Sequence, residues 1–119
     1  MSDTMFETVQ DSGAREDFGT GAVRDKQHGK GLPHLIPPIA LRRLAQHFEN
    51  GAEKYGRNNW QNGIPLSSYI DSAQRHLWAI IEGKDDEDHA AAVIWNISCF
   101  IWTKSRISEG VLPERLDDL

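Results

Sequence analysis

The sequence predicts an all-α protein, a bundle of three main helices preceded by a poorly structured arm and completed by oligomerisation. Three observations predict it. Apolar residues recur at helical spacing in two segments, a third segment is apolar on nearly all sides, and no stretch shows the apolar/polar alternation of a strand.

Residues 1–31 are rich in Gly, Asp and Ser, with apolar residues only as singles such as Phe6, Val9 and Phe18, so they read as an arm without a core of its own. Residues 32–119 form the domain. Pro33, Pro37 and Pro38 lead into a first helix over Pro38 to Tyr55, because proline is tolerated in a first turn. Leu41, Leu44, Ala45, Phe48, Ala52 and Tyr55 fall on one stripe of it, and Arg42, Gln46, Glu49 and Glu53 on another. Gly51 weakens this helix by about 1 kcal/mol relative to Ala, which hints at a close neighbour. Gly56 stops it. The loop Arg57 to Gly63 has the Asn and Gly content of turns, with Trp60 as its apolar anchor.

A second helix runs from Pro65 to Glu82 with Ile70, Ala73, Leu77, Ile80 and Ile81 marking its buried face, and Gly83 ends it. The third, Asp86 to Ile107, is apolar nearly all round between Ala90 and Trp102 and is expected at the centre of the core or of a subunit interface. Asn96 is its polar exception, and its amide needs partners, either a structural hydrogen bond or a substrate group. Leu112, Leu116 and Leu119 give the tail a means of docking loosely. Three long helices with four Trp leave much apolar surface for their cover, and association is the economical remedy.

At 119 residues, 39% hydrophobic and 26% charged, the chain suits one small domain. A net charge of −5 without a Lys/Arg cluster excludes the electrostatic footprint of a nucleic-acid binder. Cys99 stands alone inside the apolar run and reads as a small core residue. The N-terminus is too polar and acidic for a signal peptide, and no apolar stretch reaches the roughly 18 residues of a membrane span, so the expected location is the cytoplasm.

The stretch Asp85-Asp86-Glu87-Asp88-His89 concentrates four acids before the most apolar helix. One or two acids are explained by the helix dipole; four in a row repel one another and ask for a cation, such as a divalent metal carrying a phosphate-bearing substrate. The competing reading is a solvated loop that caps the helix. Glu49 with Glu53, Asp71 with Arg75, and Ser72 with His76 are pairs four residues apart on shared helix faces. Other chemistries lack their residues. There is no Gly-x-x-x-x-Gly-Lys-Ser/Thr loop and no Gly-x-Ser-x-Gly elbow, and the Asp88-His89 doublet is reversed relative to a His-Asp phosphohydrolase.

The ordered blocks Gly21-Ala22-Val23-Arg24-Asp25, Leu35-Ile36-Pro37-Pro38, His47 to Gly56, Asn59-Trp60, Asp71 to His76, Asp86 to His89 and Trp95-Asn96 resemble the phage-type dATP/dGTP diphosphohydrolase family, related to the MazG/HisE-like all-α nucleoside triphosphate pyrophosphohydrolases. The resemblance spans about residues 20 to 105. It implies an all-α homodimer or homotetramer that cleaves a purine deoxynucleoside triphosphate to the monophosphate and pyrophosphate, with Mg²⁺ or Mn²⁺ held by helix carboxylates. The chain departs from the Glu-x-x-Glu and Glu-x-x-Asp of better-known MazG-like enzymes in carrying Glu49-x-x-x-Glu53 and Asp85-x-x-Asp88.

On this reading Glu49, Glu53, Asp86, Glu87, Asp88 and His89 are the candidate metal ligands, and Glu49, Glu87 and Asp88 the candidate catalytic residues. Lys54 and Arg75 are candidates for phosphate, or else salt-bridge partners of Glu53 and Asp71. His76 joins them as a metal ligand or phosphate donor, Asn59 and Trp60 as contacts to sugar or base, and Asn96 as a substrate contact. The alternatives are a non-catalytic helical phage adaptor whose acids bind a partner or a structural metal, and an enzyme of this fold acting on another phosphoanhydride.

Overall fold

The computed structural model describes residues 11–119. Residues 1–10 of the predicted arm, with Phe6 and Val9, lie outside the described residues. The rest of the arm corrects the expectation that no strand is present: β1, Arg15–Asp17, pairs antiparallel with β2, Val23–Asp25. Such short polar strands show no alternation in sequence. Arg15 faces Asp25 and Glu16 faces Arg24, so opposite charges replace apolar pairing. Asp25 ties the hairpin down by accepting from Lys30 Nζ at 2.7 Å and from the backbone N–H of Ser12 at 3.2 Å.

Three helices follow: α1 over Pro38–Tyr55, α2 over Leu66–Ile81 and α3 over His89–Ser108. The first matches its predicted bounds. The third begins later than Asp86, because Asp88 is its N-cap and accepts from the N–H of Ala91 at 3.1 Å. An aspartate is worth more capping free N–H groups than inside the first turn, which leaves Asp85, Asp86 and Glu87 in the preceding loop.

Antiparallel α2 and α3 enclose the core: Leu66, Tyr69, Ala73 and Ala79 meet Ala91, Ala92, Asn96, Cys99 and Thr103. Small residues on α3 let the two backbones approach closely. The α2-facing side of α3 lies in the core, while its large residues Ile94, Ile97 and Ile101 are 38%, 37% and 57% exposed in the single chain, on the side that the expected subunit interface would cover. Cys99 is buried as expected, and burial pushes its thiol up to about 12. Helix α1 lies against one flank of α3 and has no fully buried residue. Its contact is aromatic, with Phe48 5.8 Å from Trp60 and 6.0 Å from Trp95, ring centre to ring centre.

The tail docks more firmly than expected. Leu116 is buried, packed so closely on Gly63 that a Cβ there would meet it at 3.1 Å. Asp118 accepts from the Ser67 N–H at 2.9 Å and hydroxyl at 2.6 Å, so the tail caps the open N-terminus of α2. Leu119 stays exposed. Among the described residues no helix is long and apolar enough to cross a membrane.

Candidate functional site

The turn between α2 and α3 brings His76, near the end of α2, against the loop acids and the first residue of α3. His76 Nδ1 and His89 Nδ1 are 2.9 Å apart. Glu87 Oε1 lies 3.7 Å from the first and 3.9 Å from the second. Three potential ligand atoms thus sit within 4.8 Å of one another, with His89 buried, His76 half-buried and Glu87 exposed. On the other edge of the His89 ring, Nε2 is 2.7 Å from Asp86 Oδ1. That hydrogen bond holds the Asp86 carboxyl below its ordinary value. With Nε2–H donating to Asp86, the Nδ1 lone pair is left facing His76 and Glu87, the way a metal-binding imidazole is oriented by an outer carboxylate.

Asp88 has a different task. Arg43 of α1 grips its two oxygens, donating from Nε to Oδ2 at 2.8 Å and from a terminal nitrogen to Oδ1. That guanidinium, with the Ala91 N–H, holds the Asp88 carboxyl down at about 2. His47, one turn along α1 from Arg43, lies 5.4 Å from the Trp95 ring, and burial followed by the nearby His76 lowers its pKa. Arg43, Lys84, Asp85, Glu87, Asp88 and His89 border an open depression of about 560 Å³ beside the cluster.

Of the residues singled out in sequence, the structure brings together His76, Asp86, Glu87 and His89, with Asp88 alongside. Glu49 and Glu53 are exposed on the stripe of α1 opposite Leu44, His47 and Phe48, and Glu49 accepts from Gln46 at 2.9 Å. Lys54 lies over the Tyr55 ring at 5.2 Å, and Arg75 is exposed on α2. The amide of Asn96 takes the structural role, donating to Ser72 Oγ at 3.1 Å and Ala92 O at 2.8 Å and so bracing α2 against α3. Asn59 and Trp60 line a separate, shallow cleft of about 30 Å³ together with Phe48, Gly51, Arg57 and Trp95. The sequence reading missed Arg43, His47 and Arg57. Arg43 and His47 stand four apart on α1, a signal as visible as Glu49 and Glu53.

The chain is an all-α protein whose helical hairpin gathers, at its turn, two imidazoles and a carboxylate that could hold a metal ion, with a second carboxylate against one imidazole. The family described as dATP/dGTP diphosphohydrolase, N-terminal, matches residues 20–110, and the chain belongs to that family. A relative named dATP/dGTP diphosphohydrolase, from Salmonella phage PMBT28, is 30% identical over 79 residues, covering 62% of this chain. The match takes in 27% of that relative, so the chain spans about a quarter of its length. No solved structure matches the chain significantly.

Proposed function

We propose that this chain is the helical unit of a metal-dependent pyrophosphohydrolase that converts dATP and dGTP to the monophosphate and pyrophosphate, serving nucleotide-pool control in a phage-infected cell. The observation that carries the metal part is the convergence of His76, Glu87 and His89 with Asp86 behind His89. The purine substrate rests on the family and on the phage relative's name.

The donor set fits a divalent cation. Two imidazole nitrogens and one carboxylate oxygen suit a first-row transition ion such as Mn²⁺ better than Mg²⁺, which prefers oxygen ligands and water. When bound, such an ion neutralises phosphate charge and lowers the pKa of a coordinated water. The protein's own part follows from the geometry. Asp86 keeps the proton of His89 on Nε2. His47, kept neutral by burial, adds no charge beside His76. The exposed Glu87 carboxylate is the group placed to hold a water by hydrogen bond. Arg43 and Lys84 on the edge of the depression offset the charge of a triphosphate that the loop acids would repel.

A second copy of the chain completes the unit. Leu77 and Ile81 of α2 and Ile94, Ile97 and Ile101 of α3 are all exposed. A face of this kind suits a standard homodimer interface, about 800 Å² from each partner.

The test is product chromatography with dATP, dGTP, dCTP and dTTP in Mg²⁺, Mn²⁺ or EDTA. Monophosphate with pyrophosphate from the purine nucleotides, lost with EDTA, is expected. Release of intact triphosphate overturns the cleavage position, and metal binding without turnover of any nucleotide leaves the adaptor with a structural metal.

A further inference from the structure

The aromatic cleft between α1 and the turn at Asn59–Asn62 lies outside the metal cluster, and we infer that it binds the purine base, with Gly51 setting the room available. The inference rests on the nucleotide reading above and assigns the base a place. The cleft is shallow, with enclosed room of only about 30 Å³, so it offers a planar heterocycle an aromatic wall to lie against rather than a pocket that encloses it. Its walls are Phe48, Trp60 and Trp95, and Phe48 meets each of the two tryptophans edge to face, at 62° and 61°. Base stacking on such rings is favourable whatever the base.

Trp95 forms a wall of the cleft, and its ring lies 5.4 Å from that of His47, one turn along α1 from Arg43. At the exposed rim stand Arg57 and Asn59. A guanidinium matches the O6 and N7 acceptors of guanine, and an amide matches the N6 donor and N7 acceptor of adenine, so the two together admit either purine.

Gly51 explains itself here. It lies in the middle of α1, where glycine is unfavourable, and a Cβ at this position would meet no atom within 4 Å outside its own helix backbone. The absent side chain is thus not required by packing within the chain; it leaves space open in the cleft that Gly51 lines.

The experiment compares wild type, Gly51→Leu and Gly51→Ala in the full chain. Deoxyguanosine, deoxyadenosine and deoxycytidine, free of phosphate and added without metal, are titrated while NMR follows the four tryptophan indole N–H signals. The purine nucleosides are expected to shift Trp60 and Trp95 and to leave the exposed Trp78 unmoved, with deoxycytidine at least tenfold weaker. Gly51→Leu is expected to weaken purine binding at least tenfold and to raise KM for dGTP equally, with unchanged Mn²⁺ affinity and a Tm no lower than that of wild type. If Gly51→Leu does not fold, Gly51→Ala, which adds one methyl group and favours the helix, gives the same direction. Wild-type nucleoside affinity and KM in the folded variant overturn the cleft assignment even when dGTP is hydrolysed. Purine shifts at Trp60 and Trp95 in a protein that hydrolyses no nucleotide uphold the cleft and reject the hydrolase.

Discussion

Two acidic groups of this chain look alike on paper and differ in space. Glu49 and Glu53 occupy one stripe of α1; Asp85 to Asp88 occupy the loop before α3. The first pair stays in solvent on the outer face of its helix. The second gains two imidazoles, because α2 ends where α3 begins and the hairpin lays His76 against His89 at 2.9 Å. Density of negative charge does not make a site. Convergence with imidazole donors from a different element is what a metal site asks for, since only then do several lone pairs meet at one point.

The sharpest way to break this contrast is to remove an imidazole. His89→Ala and His76→Ala are each expected to weaken Mn²⁺ binding at least 100-fold by calorimetry and to reduce metal-dependent turnover as much, with helical circular dichroism retained. Wild-type metal affinity in either variant would break the cluster's claim. A smaller effect is expected behind the ligands: Asp86→Asn loses the carboxylate that orients His89, and metal affinity should drop 10- to 100-fold.

Asp88 tests the boundary between site and scaffold. Asp88→Ala removes the cap of α3 and is expected to cost about 1 kcal/mol in urea denaturation, whereas Asp88→Asn keeps a capping residue and should cost less. A larger fall in turnover than in stability for Asp88→Asn would move Asp88 into the metal shell. The carboxyl is lowered from 3.8 to about 2 in the folded chain, so its contribution to stability is complete above pH ~4 and disappears as the pH falls towards 2. At 38% exposure of the side chain that contribution is under about 1 kcal/mol, and Asp88→Asn should flatten this part of the acid denaturation profile. The smallest effect belongs to the outer face. Glu49→Gln and Glu53→Gln are expected to change turnover less than twofold, and a 100-fold loss would show that a second copy brings this face to the site.

Much of the fold was legible because it depends on local pattern. The bounds of α1 followed from Pro38 and Gly56, and those of α2 were near those read from Pro65 and Gly83. The strands at Arg15–Asp17 and Val23–Asp25 were not legible, being three residues each and held by charge. Of the site, the loop acids and both histidines were visible as residues, but their division of labour was not. Asp88 turned out to be a cap held by Arg43, and Asn96 a brace.

The sequence by itself determined an all-α chain, its three helices, the buried Cys99 and the concentration of acid before α3, since each is a property of neighbours along the chain. Only the tertiary structure decided which acids meet an imidazole, which face of α3 is covered and that Gly51 borders an aromatic cleft. Those depend on the packing of α1 and α2 against α3, and contacts between residues such as Arg43 and Asp88, 45 positions apart, leave no period in a sequence to read.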